Sequence, residues 1–317
     1  MPTILWRRFA LPFTLTLLML APLAGRSAAT SAESDDPIKV TATVGMITDI
    51  VRNVGGDRVE ATGLMGPGVD PHLYKPSAGD VGLLEDADII FYGGLELEGR
   101  MTDIFVAIAR SGKPTVPVTE NIPEEFLTEP PEFEGKFDPH VWFDVTLWKY
   151  AVDTVNAQLA ALSPDDAATF QANTDAYQLQ LDQLDTYIRE QVTTVPEAQR
   201  LLVTAHDAFG YFGKQYGFEV LGLQGTSTAT EAGAGDVQEL TQVIVDRRIP
   251  AIFVESSVPQ ATIEAVREAC RAQGWDVVIG GELFSDAMGQ DGTPEGTYVG
   301  MVRHNVDTIV GALAAAA

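Results

Sequence analysis

The sequence predicts an α/β protein of two (β/α) domains, each with a central four-stranded parallel sheet, joined by one long rigid linker helix. Three observations predict it: short β-branched runs alternate with helical patterns, these runs fall into two sets on either side of residue 180, and one sustained helical face lies between the sets. Strands separated by about ten or more helical residues need crossover connections, and crossovers make parallel sheets.

The chain of 317 residues opens with Met-Pro-Thr-Ile-Leu-Trp-Arg-Arg, continues in an apolar run from Phe9 to Gly25, and reaches the small residues Ser27, Ala28 and Ala29. A basic start, an apolar stretch and a small-residue cleavage site make a secretory signal peptide, here residues 1–29. The apolar run is shorter than the ~20 residues a membrane span needs, so export is expected rather than anchoring. No cysteine lies near the cleavage site. A soluble periplasmic form is therefore expected rather than a lipoprotein, with no stable membrane insertion once the leader is cleaved.

In the first domain, residues 37–163, the strands are expected at 38–44, 59–65, 88–92 and 115–118. In the second, residues 196–317, they are expected at 201–205, 219–223, 251–254 and 276–279. Between them, residues 164–195 read as the linker helix. Ser163 suits its N-cap, Pro164 its first position, and Asp165 and Asp166 the positive end of the dipole. Phe170, Tyr177, Leu181, Leu184 and Ile188 then recur on one helical face. Unbroken to residue 195, such a helix spans roughly 45 Å. The Glu- and Pro-rich stretch 122–137 reads as a surface loop.

A hydrophobic content of 45% is ample for a core in each domain. Removing residues 1–29 takes away Arg7, Arg8 and Arg26 and no acid, which moves the formal charge from −25 to −28. So acidic a surface repels nucleic acid and anionic lipid. Cys270 is the only cysteine, so no internal disulfide forms, and its helical surroundings make it a core residue. A monomer is expected.

The chain has four histidines, and three occupy unusual places. His72 lies in a Gly/Pro-rich turn after the second strand, His140 in the sequence FDPHVWFD before a helix, and His206 at the end of the strand LLVTAH. In open α/β sheets, ligands bind outside the carboxyl ends of the strands, where His72 and His206 both fall. Neutral imidazole is a common transition-metal ligand. Two Asp-Pro-His turns strengthen the inference, because proline stiffens the backbone just before each ring. A fourth ligand is available in Asp286, which follows the last strand into the same crevice. Three imidazoles and one carboxylate suit Zn2+, Mn2+ or Fe2+ and lack the soft sulfur that favours cuprous copper. Affinity should fall below about pH 6, where protons compete for imidazole.

Glu255 ends the strand AIFVE beside His206 and is a candidate to hydrogen-bond a ligand histidine from outside the metal's own donors. Asp70, Asp138, Asp144 and Asp207 flank the ligands but read as turn or cap residues. His304 falls on a polar helix face. Gly66, Gly68 and residues 233–235 do not open a helix with the lysine and hydroxyl of a phosphate loop.

The motifs MGPGVDPHLY, FDPHVWFDV, LVTAHDAFGYF, GLQGTSTATEA, PAIFVESS and GGELFSDAMG occur in this order. With them the chain resembles the metal-binding lipoprotein/adhesin family of ABC-transporter receptors from about residue 40 to residue 313. The resemblance implies metal ligands at His72, His140, His206 and Asp286, a metal cargo of zinc or manganese, and delivery to an ABC-transporter membrane permease. Some relatives carry glutamate where His206 stands, a replacement associated with manganese, so histidine tilts the expectation toward zinc. Dedicated zinc receptors often carry a long histidine-rich loop before the second ligand motif. Here residues 122–137 contain no histidine, which departs from zinc-only specificity.

The expected function is thus a periplasmic substrate-binding protein that captures a divalent transition metal between its domains, and not an enzyme. The alternative is a zinc-dependent hydrolase using the same His/Asp site. Catalytic zinc keeps a position open for water beside a general base, whereas four protein ligands close the site and the HExxH spacing is absent. Surface adhesion has no sequence feature of its own.

Overall fold

Val40, Thr41 and Ala42 are all buried, so the first strand is covered on both faces, as parallel strands usually are. This strand, β1 (Ile38–Ala42), joins β2 (Val59–Gly63), β3 (Ile89–Tyr92) and β4 (Thr115–Pro117) in one parallel sheet of order β2-β1-β3-β4. Helices α1 (Gly45–Gly55), α2 (Ala78–Asp86) and α3 (Thr102–Arg110) make the crossovers. Ser77 caps α2 in a reciprocal capping box with Asp80.

These elements come from a computed structural model that describes residues 1–3, 36–133 and 135–314. Apart from its first three residues, the expected signal peptide lies outside the described residues. The chain forms two compact units, Met1–Asp35 and Asp36–Ala317, and everything below concerns the second. Among the described residues no helix is long and apolar enough to cross a membrane.

Two helices follow the first sheet, α4 (Val145–Leu162) and α5 (Ala167–Val192). Phe170, Thr174, Tyr177, Leu181, Leu184, Ile188 and Val192 form the buried face of α5. That face packs on α1 and α4 on one side and, on the other, on α9 (Tyr298–Ala314) from the far end of the chain. Its 26 residues span about 39 Å, somewhat less than expected. The difference arises because residues Pro164–Asp166 form a separate 3-10 turn and the helix stops before Thr193. The Ser163 hydroxyl donates to the Asp166 carboxylate and caps no backbone amide.

The C-terminal half contains β5 (Leu201–His206), α6 (Gly210–Tyr216), β6 (Glu219–Gln224), α7 (Ala234–Arg247), β7 (Ala251–Glu255), α8 (Ala261–Ala272) and β8 (Val278–Leu283). One four-stranded sheet was expected here. The strands instead form two parallel pairs, β5-β6 and β7-β8, with β5 and β7 side by side but joined by no ladder. Asp207 N–H turns toward β6 and donates to the Gln224 carbonyl. The preceding amide, that of His206, faces the other way and donates to the Glu255 side chain at 2.8 Å. The last amide of β5 is thus held by a carboxylate from the end of β7.

The last strand also runs beyond its expected end at residue 279, because a bulge near Gly280 and Gly281 interrupts its apolar pattern without ending it. Gly281 has φ +149°, and a Cβ on Gly280 would meet the Phe253 ring at 2.7 Å. Both positions need glycine. Cys270 is buried in the core between these strands and α8, as expected.

Candidate metal centre

The four expected ligands reach the same point by three local devices: two Asp-Pro-His turns, a strand end and a loop beyond a strand. His72 follows β2 in an Asp-Pro-His turn whose first residue accepts the His72 amide on Oδ1 at 2.8 Å. His140 lies in the second such turn, where Asp138 Oδ1 accepts both the His140 amide at 2.9 Å and His140 Nδ1 at 2.7 Å. Asp144 then caps α4 by accepting from the amides of Thr146 and Leu147. His206 is the last residue of β5, and its Nδ1 lies 2.5 Å from Oε2 of Glu255, the last residue of β7. Asp286 lies three residues beyond β8, past the glycine bulge.

One ligand atom from each of His72, His140, His206 and Asp286 lies within 4.8 Å of all the others, and all four residues are buried. Asp286 Oδ1 is 3.3 Å from His140 Nε2, while Asp286 Oδ2 is 3.3 Å from His206 Nε2 and 3.8 Å from His72 Nε2. The Nε2 atoms of His72 and His140 are 3.4 Å apart. A tetrahedral ion with bonds of about 2.0–2.1 Å has donor-to-donor edges of about 3.3 Å. The cluster therefore fits one such ion with little rearrangement. His206 Nε2 and both Asp286 oxygens are buried with no hydrogen-bond partner of good geometry, as atoms aimed at an ion would be.

The electrostatics fit a cation as well. Burial lowers the pKa of His140, but Asp138 and Asp286 outweigh it and lift the ring to about 9. For His206 burial is likewise outweighed, by Glu255 and Asp286, and its pKa stands well above the ordinary value. Burial takes His72 down to about 3; Asp286 opposes this, and the two neighbouring rings reinforce it. Burial would raise Asp286, yet His206 and His140 hold it well below the usual carboxylate range. The carboxylates beside His140 and His206 thus favour positive charge at the place a divalent cation would take.

Glu255 contacts His206 through Nδ1, leaving Nε2 turned toward Asp286. Asp138, read only as a turn residue, caps its turn and also holds the His140 ring. The Asp-Pro-His spacing puts Asp138 within reach of both groups, but the same spacing leaves the His72 ring unheld, so nothing in the sequence singled out this contact. Asp70 begins an identical tripeptide, but its second oxygen accepts from the Thr228 hydroxyl at 2.6 Å instead of holding the His72 ring. His72 Nδ1 is left without a hydrogen-bond partner among the described residues. His304 lies outside the cluster on α9, with Nε2 3.0 Å from the Glu282 carbonyl.

Comparison with known proteins agrees with this geometry. The family model described as "ZnuA: Zinc-uptake complex component A periplasmic" matches residues 40–312. The zinc-binding protein TroA of Treponema pallidum is 52% identical over 302 residues, covering 95% of this chain and 96% of TroA. The manganese-binding lipoprotein MntA of Bacillus subtilis is 50% identical over 291 residues, covering 92% of each chain. Its name differs from the anchor-free form expected here, a matter of the leader region. The solved structure of periplasmic TroA from Treponema pallidum superposes with a TM-score of 0.85 at 54% identity, covering 87% of this chain and 99% of that one. This chain belongs to the ZnuA family of periplasmic zinc-uptake components.

Proposed function

We propose that the chain is the exported receptor of an ABC importer, which captures one divalent transition-metal ion as cargo and hands it to a membrane permease. His72 and His140 from the N-terminal half, with His206 and Asp286 from the C-terminal half, are the proposed ligands. The observation that carries this reading is the convergence of four buried donors at separations close to the edges of one tetrahedral coordination shell. Residues 37–163 and 196–317 act as the two lobes, and the helix over 164–195 limits their hinge motion.

Zn2+ and Mn2+ are the proposed cargoes, and Fe2+ fits the same nitrogen and oxygen donors. Two relatives at nearly equal identity carry different metals in their names, zinc for TroA and manganese for MntA. Intrinsic affinity favours zinc over manganese at almost any such site. Metal supply outside the cell membrane then decides which ion is carried. Four protein ligands around one point leave no open position for an activated water, which favours the receptor over a zinc hydrolase.

Elemental analysis of protein isolated from its own compartment, beside a screen for hydrolytic turnover, tests the reading. One metal per chain and no turnover are expected. A metal-free protein that binds none of the three ions in calorimetry would overturn it.

A further inference from the structure

We infer that two side chains outside the donor set, Thr228 and Trp142, latch the halves together across the metal centre and set how long the ion stays bound. This rests on the receptor reading above. The bonds from Asp138 to His140 and from Glu255 to His206 each join groups of the same half, so they orient rings without tying the halves together. Other bonds do cross between the halves: the Tyr211 and Tyr298 hydroxyls donate to the carbonyls of Asp138 and Trp142, and two more, made by Thr228 and Trp142, hold the turns of His72 and Asp286.

The first starts on the connection between β6 and α7. There the Thr228 hydroxyl donates to Asp70 Oδ2 at 2.6 Å, while the other oxygen of Asp70 holds the amide of His72. The second joins the turns that carry the other two donors across the site. Trp142, two residues after His140, donates its indole N–H to the carbonyl of Ser285 at 3.1 Å, and Ser285 immediately precedes Asp286. The Ser285 hydroxyl is in turn 2.9 Å from that of Ser257, two residues beyond Glu255.

Opening the cleft breaks both of these bonds; the Ser285 carbonyl is buried, and a buried acceptor left without its donor costs more than the bond contributes when made, while the Asp70 carboxylate is half-buried. The closed arrangement is therefore favoured before an ion arrives. Loss of a latch should speed release while leaving all four donors in place, because changes of this kind act mostly on dissociation. Thr228 and Trp142 are thus positioning residues for metal capture.

Zinc release into a chelator, followed by stopped flow, tests this. Thr228→Val should release zinc about tenfold faster than the wild type, the low end of what one partly buried bond to a charged group contributes. Thr228→Ser, which keeps the hydroxyl, should restore the wild-type rate, and Trp142→Phe should also release faster. Amide hydrogen exchange on the metal-free protein provides an independent readout. Segments 66–74 and 283–289 should exchange faster in Thr228→Val than in the wild type. Equal release rates in wild type and Thr228→Val, or equal losses in the Val and Ser variants, would overturn the latch. If the wild type binds no zinc, the receptor reading fails instead, and the exchange comparison still decides the latch: equal protection in both proteins counts against it.

Discussion

The N-terminal half keeps one continuous four-stranded sheet and delivers its two donors on turns, whereas the C-terminal half splits its strands into pairs and places His206 on a strand end. In the first case an aspartate two residues before each histidine holds the local backbone. In the second, Glu255 reaches from a neighbouring strand and holds both the amide and the ring of His206. A turn can be rigidified from within by a short-range side-chain bond. A strand end needs a partner brought by the fold, and here that partner comes from the end of β7.

Asp286 is the donor on which both halves converge, and its removal should have the largest effect. Asp286→Ala takes away the only anionic donor and leaves a divalent ion among three neutral rings. Its affinity should fall by more than the ~10–100-fold typical of losing an outer hydrogen-bond partner. Calorimetry with zinc measures this, and a loss below tenfold would mean that Asp286 is not a ligand.

The contrast between the halves predicts unequal effects for two conservative changes. Asp138 uses a single oxygen, Oδ1, for both the amide and the ring of His140. Glu255 uses both oxygens, one for each contact with His206. An amide side chain keeps one acceptor oxygen and turns the other into a donor. Asp138→Asn can therefore preserve both contacts, while Glu255→Gln must lose one. Glu255→Gln should weaken metal binding by about 10–100-fold, and Asp138→Asn by less. Equal losses would erase the distinction between the two bracing modes.

A change of pH should act on affinity as well, through a window that differs from the simple imidazole expectation. The pKa of His140 in the metal-free protein is raised to about 9. A raised pKa contributes stability that is complete below the unfolded value of about 6.5 and disappears as pH climbs through the folded value. The thermal midpoint of the metal-free protein should therefore decline between pH 6.5 and about 9. Metal needs the neutral ring, so affinity should rise over the same interval, by at most about tenfold per pH unit for each proton displaced. Titrations at pH 6, 7.5 and 9 check both directions. Constant affinity across them would show that no ring is protonated before the ion binds.

By itself the sequence determined much of this protein. Short-range patterns placed all eight strands and the long helix, because buried faces repeat with the period of their element. The two Asp-Pro-His turns and the strand-ending His206 marked candidate donors, and the fold gathers them with Asp286 around one point. Tertiary structure alone decided the partners that lie far apart in the chain. Identical tripeptides send Asp138 to a histidine ring and Asp70 to Thr228, and the choice depends on which neighbour the opposite half supplies. The break between β5 and β7 and the bond from Trp142 to Ser285 likewise depend on the approach of segments 49 and 143 residues apart. A local pattern fixes which way a side chain faces along its own element, but a hydrogen bond also needs its partner's position, and only the packed chain provides that.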